Sequence, residues 1–298
     1  MELTLDWLRR AFQAEGYVCG DELLVPVYLA LALQKPLLVE GAPGVGKTEL
    51  AKTLARCLDT RLIRLQCYEG LDENKAFYEW NYQRQLIRIQ LAGAQGGAVV
   101  EEDVFSPDYL LERPLLQAIR AGERVVLLID EVDRTDEEFE AFLFEVLSDF
   151  QVSIPELGTV RAQAIPVVVL TSNRARDLSD ALKRRCVYLF IDYPSVQREL
   201  SIVRTRLPGA GEQLARQVAL AVSHIRSHPE VQKKPSIAET LDWAAALVRL
   251  GRGELDPDAI DRTLNLVLKS HDDLRLFRVE PQRNALSAAA RGEGLTRP

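Results

Sequence analysis

The run Gly41, Ala42, Pro43, Gly44, Val45, Gly46, Lys47 and Thr48, followed by Glu49, fits the pattern G-x-x-x-x-G-K-[S/T] at every position. Each part of that spacing serves a polyphosphate. The glycines let consecutive backbone N–H groups curl round anionic oxygens in conformations that a Cβ would obstruct. A helix starting near Thr48 would aim the positive end of its dipole at the same anion. Lys47 is then the cation for the β- and γ-phosphates, and the Thr48 hydroxyl is a ligand for Mg²⁺. The simpler alternative, a glycine-rich turn with no ligand, is disfavoured because an apolar stretch precedes the run and an amphipathic one follows it.

A second constellation stands at Asp130 and Glu131, directly after the apolar stretch Val125 to Ile129. A buried strand that ends in two carboxylates puts them at the C-terminal edge of a parallel sheet, where ligands of such sheets bind. Asp130 is suited to holding Mg²⁺, directly or through water. Glu131 is suited to orienting and polarising a water molecule, because phosphoryl transfer depends on positioning and electrostatics. Acidic residues also sit at helix starts for the sake of the dipole alone, but the strand before this pair and the loop upstream favour the chemical reading. Thr171, Ser172 and Asn173 close another apolar run, and a polar side chain there could hold the attacking water. Ser-Asn is equally ordinary turn chemistry.

These residues need a sheet behind them, and the chain supplies its pattern. Pro36–Glu40, Arg61–Gln66, Arg124–Ile129, Pro166–Thr171 and Val187–Asp192 read as five short strands separated by amphipathic segments, an α/β arrangement with a parallel sheet. Pro155 to Gly158 reads as the turn of a β-hairpin. Leu23 to Leu33 is the most apolar segment and reads as a buried helix. After Pro194 and Ser195 the sequence turns helical, with helices over GEQLARQVALAVSHIRSH (211–228), Ile237–Leu250 and Asp256–Lys269. The organisation expected is an α/β nucleotide-binding core over 1–194, a helical domain over 195–282 and a frayed tail over 283–298.

Composition excludes several classes. No run of eighteen apolar residues suggests a membrane span, and the first dozen residues lack the pattern of a secretory leader. The formal net charge of −7 argues against non-specific nucleic-acid binding, which needs a basic surface. Cys19, Cys57, Cys67 and Cys186 show no metal-site spacing and read as reduced thiols of a cytoplasmic protein. His224 and His228 are four apart on a helix and could share a metal, but a solvated face is the better reading. The aromatic stretch Tyr68 to Tyr82 fits a client-binding surface or core packing equally well.

Together GAPGVGKTEL, LLIDEVDR, the hairpin and strand before TSN, and DLSDALKRRC resemble the MoxR group of AAA+ ATPases, over about Leu24 to Leu250. Within it, RLQCYEGLDENKAFYEWNYQRQL is similar to the branch typified by CoxD, encoded with maturation factors of carbon monoxide dehydrogenase. The resemblance implies a P-loop fold with a five-stranded parallel sheet and an all-α lid, with ATP and Mg²⁺ as cofactors. It makes Asn173 the first sensor and Arg185 the arginine finger that enters a neighbour's ATP site. Cys186 stands where the family has an aromatic residue, so Arg184 is the alternative finger. Lys234 falls at the second sensor, usually arginine; lysine keeps the charge and loses the two-pronged geometry. Arg134 is a further candidate for a contact between subunits. A finger acting in trans implies a homo-oligomer, by precedent a hexamer. A client protein, such as a molybdenum hydroxylase receiving its metal cofactor, and a partner with a von Willebrand factor A domain are also implied.

Two other functions compete. A nucleic-acid-coupled motor would show DNA-stimulated ATPase activity, and the acidic balance counts against it. A scaffold that binds ATP without hydrolysing it would not need Glu131 and Asn173. Nothing in the sequence separates ATP from GTP, although the backbone near Tyr17 and Val18 is a candidate base pocket.

Overall fold

The computed structural model describes residues 3–94, 105–155 and 157–293. The chain forms two compact units. The first comprises Met1–Ala11, Asp21–Gly41 and Lys47–Phe190, and the second Phe12–Gly20, Ala42–Gly46 and Ile191–Pro298.

The first unit is built on a five-stranded sheet of β1 (Leu37–Gly41), β2 (Leu62–Gln66), β5 (Val126–Asp130), β8 (Val167–Ser172) and β9 (Val187–Ile191), in the order β2-β5-β8-β1-β9. All of the registered pairs β1–β8, β5–β8 and β2–β5 are parallel. β1 and β5 are buried at every residue, as strands covered on both faces must be. The register sets Gln66 opposite Asp130 and Glu40 opposite Ser172, so the C-terminal ends of four strands meet along one edge. All five strands fall within one residue or two of the spans expected from the sequence.

Helix α1 (Leu5–Ala14) opens the chain. Helix α2 (Asp21–Ala32) buries Leu23, Leu24, Val27, Ala30 and Leu31, and α3 (Lys47–Cys57) follows the glycine-rich loop. The hairpin expected around Pro155 is present as β6 (Gln151–Ile154) paired antiparallel with β7 (Gly158–Arg161); Glu156 lies outside the described residues. It follows α7 (Glu137–Asp149), whose N-terminus is capped by Asp136 accepting from the Phe139 N–H.

Part of the aromatic stretch is core packing. After α4 (Glu73–Ala76), β3 (Tyr78–Trp80) pairs with β4 (Leu110–Glu112), an element without a legible pattern in the sequence. Phe77 and Trp80 are buried in the core of this unit, together with Leu115, Leu116 and Ile119 of α6 (Pro114–Ile119). Tyr68 and Tyr82 are exposed, and Tyr82 opens α5 (Tyr82–Ala94), on which Leu86, Ile87, Ile89 and Leu91 are exposed too.

The second unit is largely helical: α9 (Val196–Arg206), α10 (Glu212–Ser227), α11 (Ile237–Arg249), α12 (Pro257–Thr263), α13 (His271–Arg278) and α14 (Gln282–Ala290). Its core gathers Val218, Val222, Ile225, Trp243, Leu247 and Phe277, and the Trp243 Nε1–H donates to Thr263 Oγ1 at 2.7 Å. Ser236 and Glu239 form a capping box that starts α11. Two expectations change here. The single helix expected over Asp256–Lys269 is α12 followed by a 3₁₀ turn at Leu264–Leu266. The frayed tail expected from 283 is a helix as far as Ala290, because Leu286 and Ala290 are buried in the same core and an alanine-rich run favours helix; residues 294–298 lie outside the described residues. Among the described residues no helix is long and apolar enough to cross a membrane.

Candidate functional site

The glycine-rich run links β1 to α3. Gly44 and Gly46 carry φ values of 75° and 101°, a region that side chains other than glycine seldom adopt. At Gly44 a Cβ would lie 2.2 Å from the Ser236 Cβ, so this glycine is required twice. The Gly44 carbonyl accepts from the Ile237 N–H at 3.2 Å. In the same unit the Tyr17 hydroxyl would lie 3.8 Å from a Cβ at Gly46, and the Val18 carbonyl accepts from Arg198 Nε at 3.4 Å.

At the sheet edge the first turn of α3 meets the acidic pair. Thr48 Oγ1 lies 3.1 and 3.3 Å from the two carboxylate oxygens of Asp130, which is itself buried. Lys47 Nζ donates to the Gly41 carbonyl at 2.8 Å and to Asn173 Oδ1 at 2.7 Å. Burial lowers the Lys47 pKa below the ordinary lysine range, against the pull of the Asp133, Asp130 and Glu131 carboxylates. An ammonium held dry beside a hydroxyl and a carboxylate is the environment in which a polyphosphate would be bound strongly.

Asn173 joins the two halves of the site. Its Oδ1 accepts from Lys47 and its Nδ2 donates to Glu131 Oε1 at 3.2 Å, so the orientation of the amide follows from its partners. Glu131 stands in the left-handed region at φ 58°, as does Arg174 at φ 61° beside Asn173. Non-glycine residues in that region cost of order 1–3 kcal/mol each and cluster at functional sites. The Glu131 carboxylate also accepts from Gln66 Nε2 at 3.1 Å and pairs with Arg134 Nε at 3.1 Å.

Three residues of this cluster, Asp133, Arg64 and Gln66, were not legible in the sequence, and Thr171 was marked there only as part of the polar strand tip. Thr171 donates through Oγ1 to Asp130 at 2.5 Å and accepts the Glu131 N–H at 2.9 Å. Asp133 is buried and accepts the N–H groups of Asn173 and Ala175 at 3.1 and 2.8 Å, which fixes the turn carrying Asn173. Arg64 reaches Asp130 Oδ2 from Nε at 3.0 Å and from Nη2 at 2.6 Å, and Gln66 stands next to it at the end of β2. The available signal was strand position: residues at the C-terminal ends of parallel neighbours share an edge.

Lys47, Thr48, Asp130, Glu131 and Asn173 are therefore brought together, and Arg185 is not among their partners. Its guanidinium stacks over Phe144 at 4.3 Å and donates to Ser148 Oγ at 2.9 Å and the Ala181 carbonyl at 2.8 Å. Arg184, beside it at the end of α8 (Asp180–Arg185), is exposed. Lys234 is exposed in the loop before α11. That loop is pinned by Asp273, which accepts the Gln232 and Lys233 N–H groups at 3.0 and 3.1 Å. The donors suit the groups expected. The Thr48 hydroxyl and Asp130 carboxylate are the hard oxygens that Mg²⁺ takes, and no cluster of histidine, cysteine and carboxylate fit for another metal occurs among the described residues. His224 and His228 lie edge-on to Phe277, as packing residues do.

A family model for the AAA domain of the dynein-related subfamily matches residues 36–186, just over half of the chain. Two similar curated proteins, both uncharacterised, come from Staphylococcus aureus strains bovine RF122 / ET3-1 and USA300. Each is 30% identical over 169 residues, covering 54% of this chain and 57% of its own length. The chain thus spans little more than half the length of the curated relatives it matches. Among solved structures, a mutant of Thermotoga maritima RuvB has a TM-score of 0.49 at 19% identity, covering 98% of this chain and 83% of that chain. The Thermotoga maritima RuvB Holliday junction branch migration motor has a TM-score of 0.44 at 19% identity, covering 97% and 80%.

Proposed function

The chain belongs to the AAA domain family, dynein-related subfamily, and from that premise we propose that it binds ATP with Mg²⁺ at the Gly41–Thr48 loop, hydrolyses it, and uses the cycle to remodel or mature a client protein. The observation that carries the catalytic part is the single hydrogen-bonded chain Lys47–Asn173–Glu131, set beside the Thr48–Asp130 pair.

In this reading Lys47 holds the β- and γ-phosphates, and Thr48 and Asp130 hold the metal. Magnesium, when bound, neutralises charge on the phosphate oxygens. Glu131 orients the attacking water and takes its proton as the new P–O bond forms and the bond to the bridging oxygen breaks, releasing ADP and phosphate. Asn173, pinned by Asp133, keeps Glu131 and Lys47 in one frame. The backbone beside Tyr17 and Val18 supplies the base pocket, and Lys234 acts as second sensor on a loop fixed by Asp273. A finger from Arg184 or Arg185 completes the site in a neighbouring copy, which makes the active form a homo-oligomer, by precedent a hexamer. Of the two, the exposed Arg184 is better disposed to reach outward than Arg185, whose guanidinium is taken up by Phe144 and Ser148. The sequence motifs support the MoxR group and its CoxD-like branch, hence a metalloenzyme client, a von Willebrand factor A-domain partner and a cytoplasmic setting.

Nucleotide binding and phosphate release test the proposal. Lys47→Ala is expected to lose ATP binding, and unchanged affinity would overturn the site. Glu131→Gln is expected to bind ATP and turn over at least about 10²-fold more slowly, the scale of a lost general base. Stimulation of the wild-type ATPase by DNA would argue for a nucleic-acid motor instead.

A further inference from the structure

Arg64 forms an ion pair with Asp130, Nη2 lying 2.6 Å from Oδ2, and the site chemistry above gives it no task. Its guanidinium directs two donors at the same oxygen, Asp130 Oδ2. The side chain of Asp130 is 3% exposed and that of Arg64 48%. A carboxylate so far removed from water needs a positive partner, and leaving it without one is strongly destabilising. The opposite oxygen, Oδ1, is taken by Thr171, and Thr48 Oγ1 lies between the two oxygens, at 3.1 Å from Oδ1 and 3.3 Å from Oδ2. Arg64 therefore occupies, with two short bonds, the oxygen that Thr171 leaves open.

A divalent ion held by Asp130 and Thr48 would have to share this carboxylate with the guanidinium. Two like charges on one oxygen repel, and a small, hard ion outcompetes a hydrated-side cation only by displacing it. The half-exposed Arg64 has water to move into. It is also tied to the rest of the site: Nη2 donates to Gln66 Oε1, and Gln66 Nε2 donates to Glu131 Oε2 at 3.1 Å. When Arg64 leaves Asp130, the donor that orients Gln66 goes slack, and with it one of the bonds holding Glu131.

We propose that Arg64 is a counter-ion that holds Asp130 while the metal is absent, is displaced by Mg²⁺, and reports that displacement to Glu131 through Gln66. It is a positioning residue and touches no reacting atom. The inference rests on the nucleotide reading above, and names a device that sets how strongly metal and nucleotide binding are coupled in that site. One consequence is that part of the affinity for Mg²⁺ is given up to competition, so nucleotide without metal meets a site whose metal ligand is already neutralised.

The test is the coupling ratio, the Kd for ADP in EDTA divided by the Kd for ADP in Mg²⁺, measured by calorimetry on the full chain. With Arg64→Met, which keeps the stem and removes the charge, the ratio is expected to rise about tenfold, the worth of one charge contact of roughly 1.4 kcal/mol. Arg64→Lys, which keeps the charge, should stay within about threefold of the wild type. In the wild type, the Nε–H of Arg64, assigned in ¹⁵N spectra by its loss in Arg64→Lys, should shift on adding Mg²⁺ with ADP and stay in place with ADP in EDTA. This second reading stands even if Arg64→Met does not fold. A ratio unchanged in Arg64→Met, or an Nε–H signal indifferent to Mg²⁺, overturns the proposal. If the wild type binds no ADP in either condition, the nucleotide reading itself fails and this one falls with it.

Discussion

Each compact unit buries a cluster of charge, and the two clusters are finished differently. In the helical unit, Arg226 and Glu199 form a two-pronged pair at 2.6 and 2.8 Å. Thr240 Oγ1 donates to the same carboxylate at 2.7 Å, Arg226 Nε donates to the Pro235 carbonyl at 2.7 Å, and the guanidinium lies over the Tyr193 ring. Among the described residues, no buried side-chain polar atom of this cluster lacks a hydrogen-bond partner. At the sheet edge, Lys47, Asp130 and Asp133 are as deeply buried, yet the backbone on either side is left-handed at Glu131 and Arg174, and Asp133 Oδ1 has no hydrogen-bond partner among the described residues. A charge cluster closed on itself serves the fold. One that keeps strain and spare bonding capacity is arranged to receive something from outside.

That contrast breaks first at Arg226. Arg226→Ala leaves Glu199 buried and uncompensated, and is expected to destabilise the protein by about 3–5 kcal/mol, read by urea unfolding; a loss below about 1 kcal/mol would mean that the pair is ornamental. Asp133→Ala should act on the site more than on the fold. Two charge-assisted bonds to the Asn173 and Ala175 amides disappear, so hydrogen exchange at both should accelerate and turnover should fall by about tenfold or more, on the scale of 1.5–3 kcal/mol for a bond to a charged group. Protected amides and normal turnover would show that the turn holds itself. Gly44→Ala is the next smaller step. Left-handed backbone costs a side chain roughly 1–2 kcal/mol, and here the new Cβ also meets Ser236 at 2.2 Å. Pairing it with Ser236→Gly should recover part of the loss in a double-mutant cycle, and strict additivity would remove the contact from the account.

The sheet edge was legible because its chemistry is written in consecutive residues. The run from Gly41 to Thr48 and the pair Asp130–Glu131 each announce a function locally, and the strand before each fixes where it points. Asn173 was legible by the same logic. Asp133, Arg64 and Gln66 were not, because each has meaning only once parallel pairing sets neighbouring strand ends side by side, as Gln66 is set opposite Asp130. The Arg226–Glu199 pair was hidden for a related reason: 27 residues separate its members, and neither departs from an ordinary amphipathic helix in sequence. β3 and β4 were missed because three-residue strands carry too little alternation to read, and the final helix because its alanines bury little and so leave no strong stripe.

The finest test of the contrast uses the two thiols that burial pushes up to about 12. At Cys67, burial is joined by the carboxylates of Asp130, Asp133 and Glu131, whereas at Cys186 burial acts against the lowering influence of Arg185. In the unfolded chain both would lose their protons near the ordinary thiol value of about 8.5. Between that pH and about 12 the unfolded state therefore binds fewer protons than the folded one, and stability must fall as pH rises through this window. Below the window the contribution is fully present. Alkylation by iodoacetamide, which needs the thiolate, should accordingly be slow at both cysteines in the folded protein at pH 9 and become fast on unfolding. Glu131→Gln then separates the two. Removing one negative charge should lower the Cys67 pKa and quicken its alkylation slightly, while the rate at Cys186 stays where it was. Equal changes at both thiols would mean that the substitution loosens the whole unit, and that the acidic edge is less self-contained than its hydrogen bonds suggest.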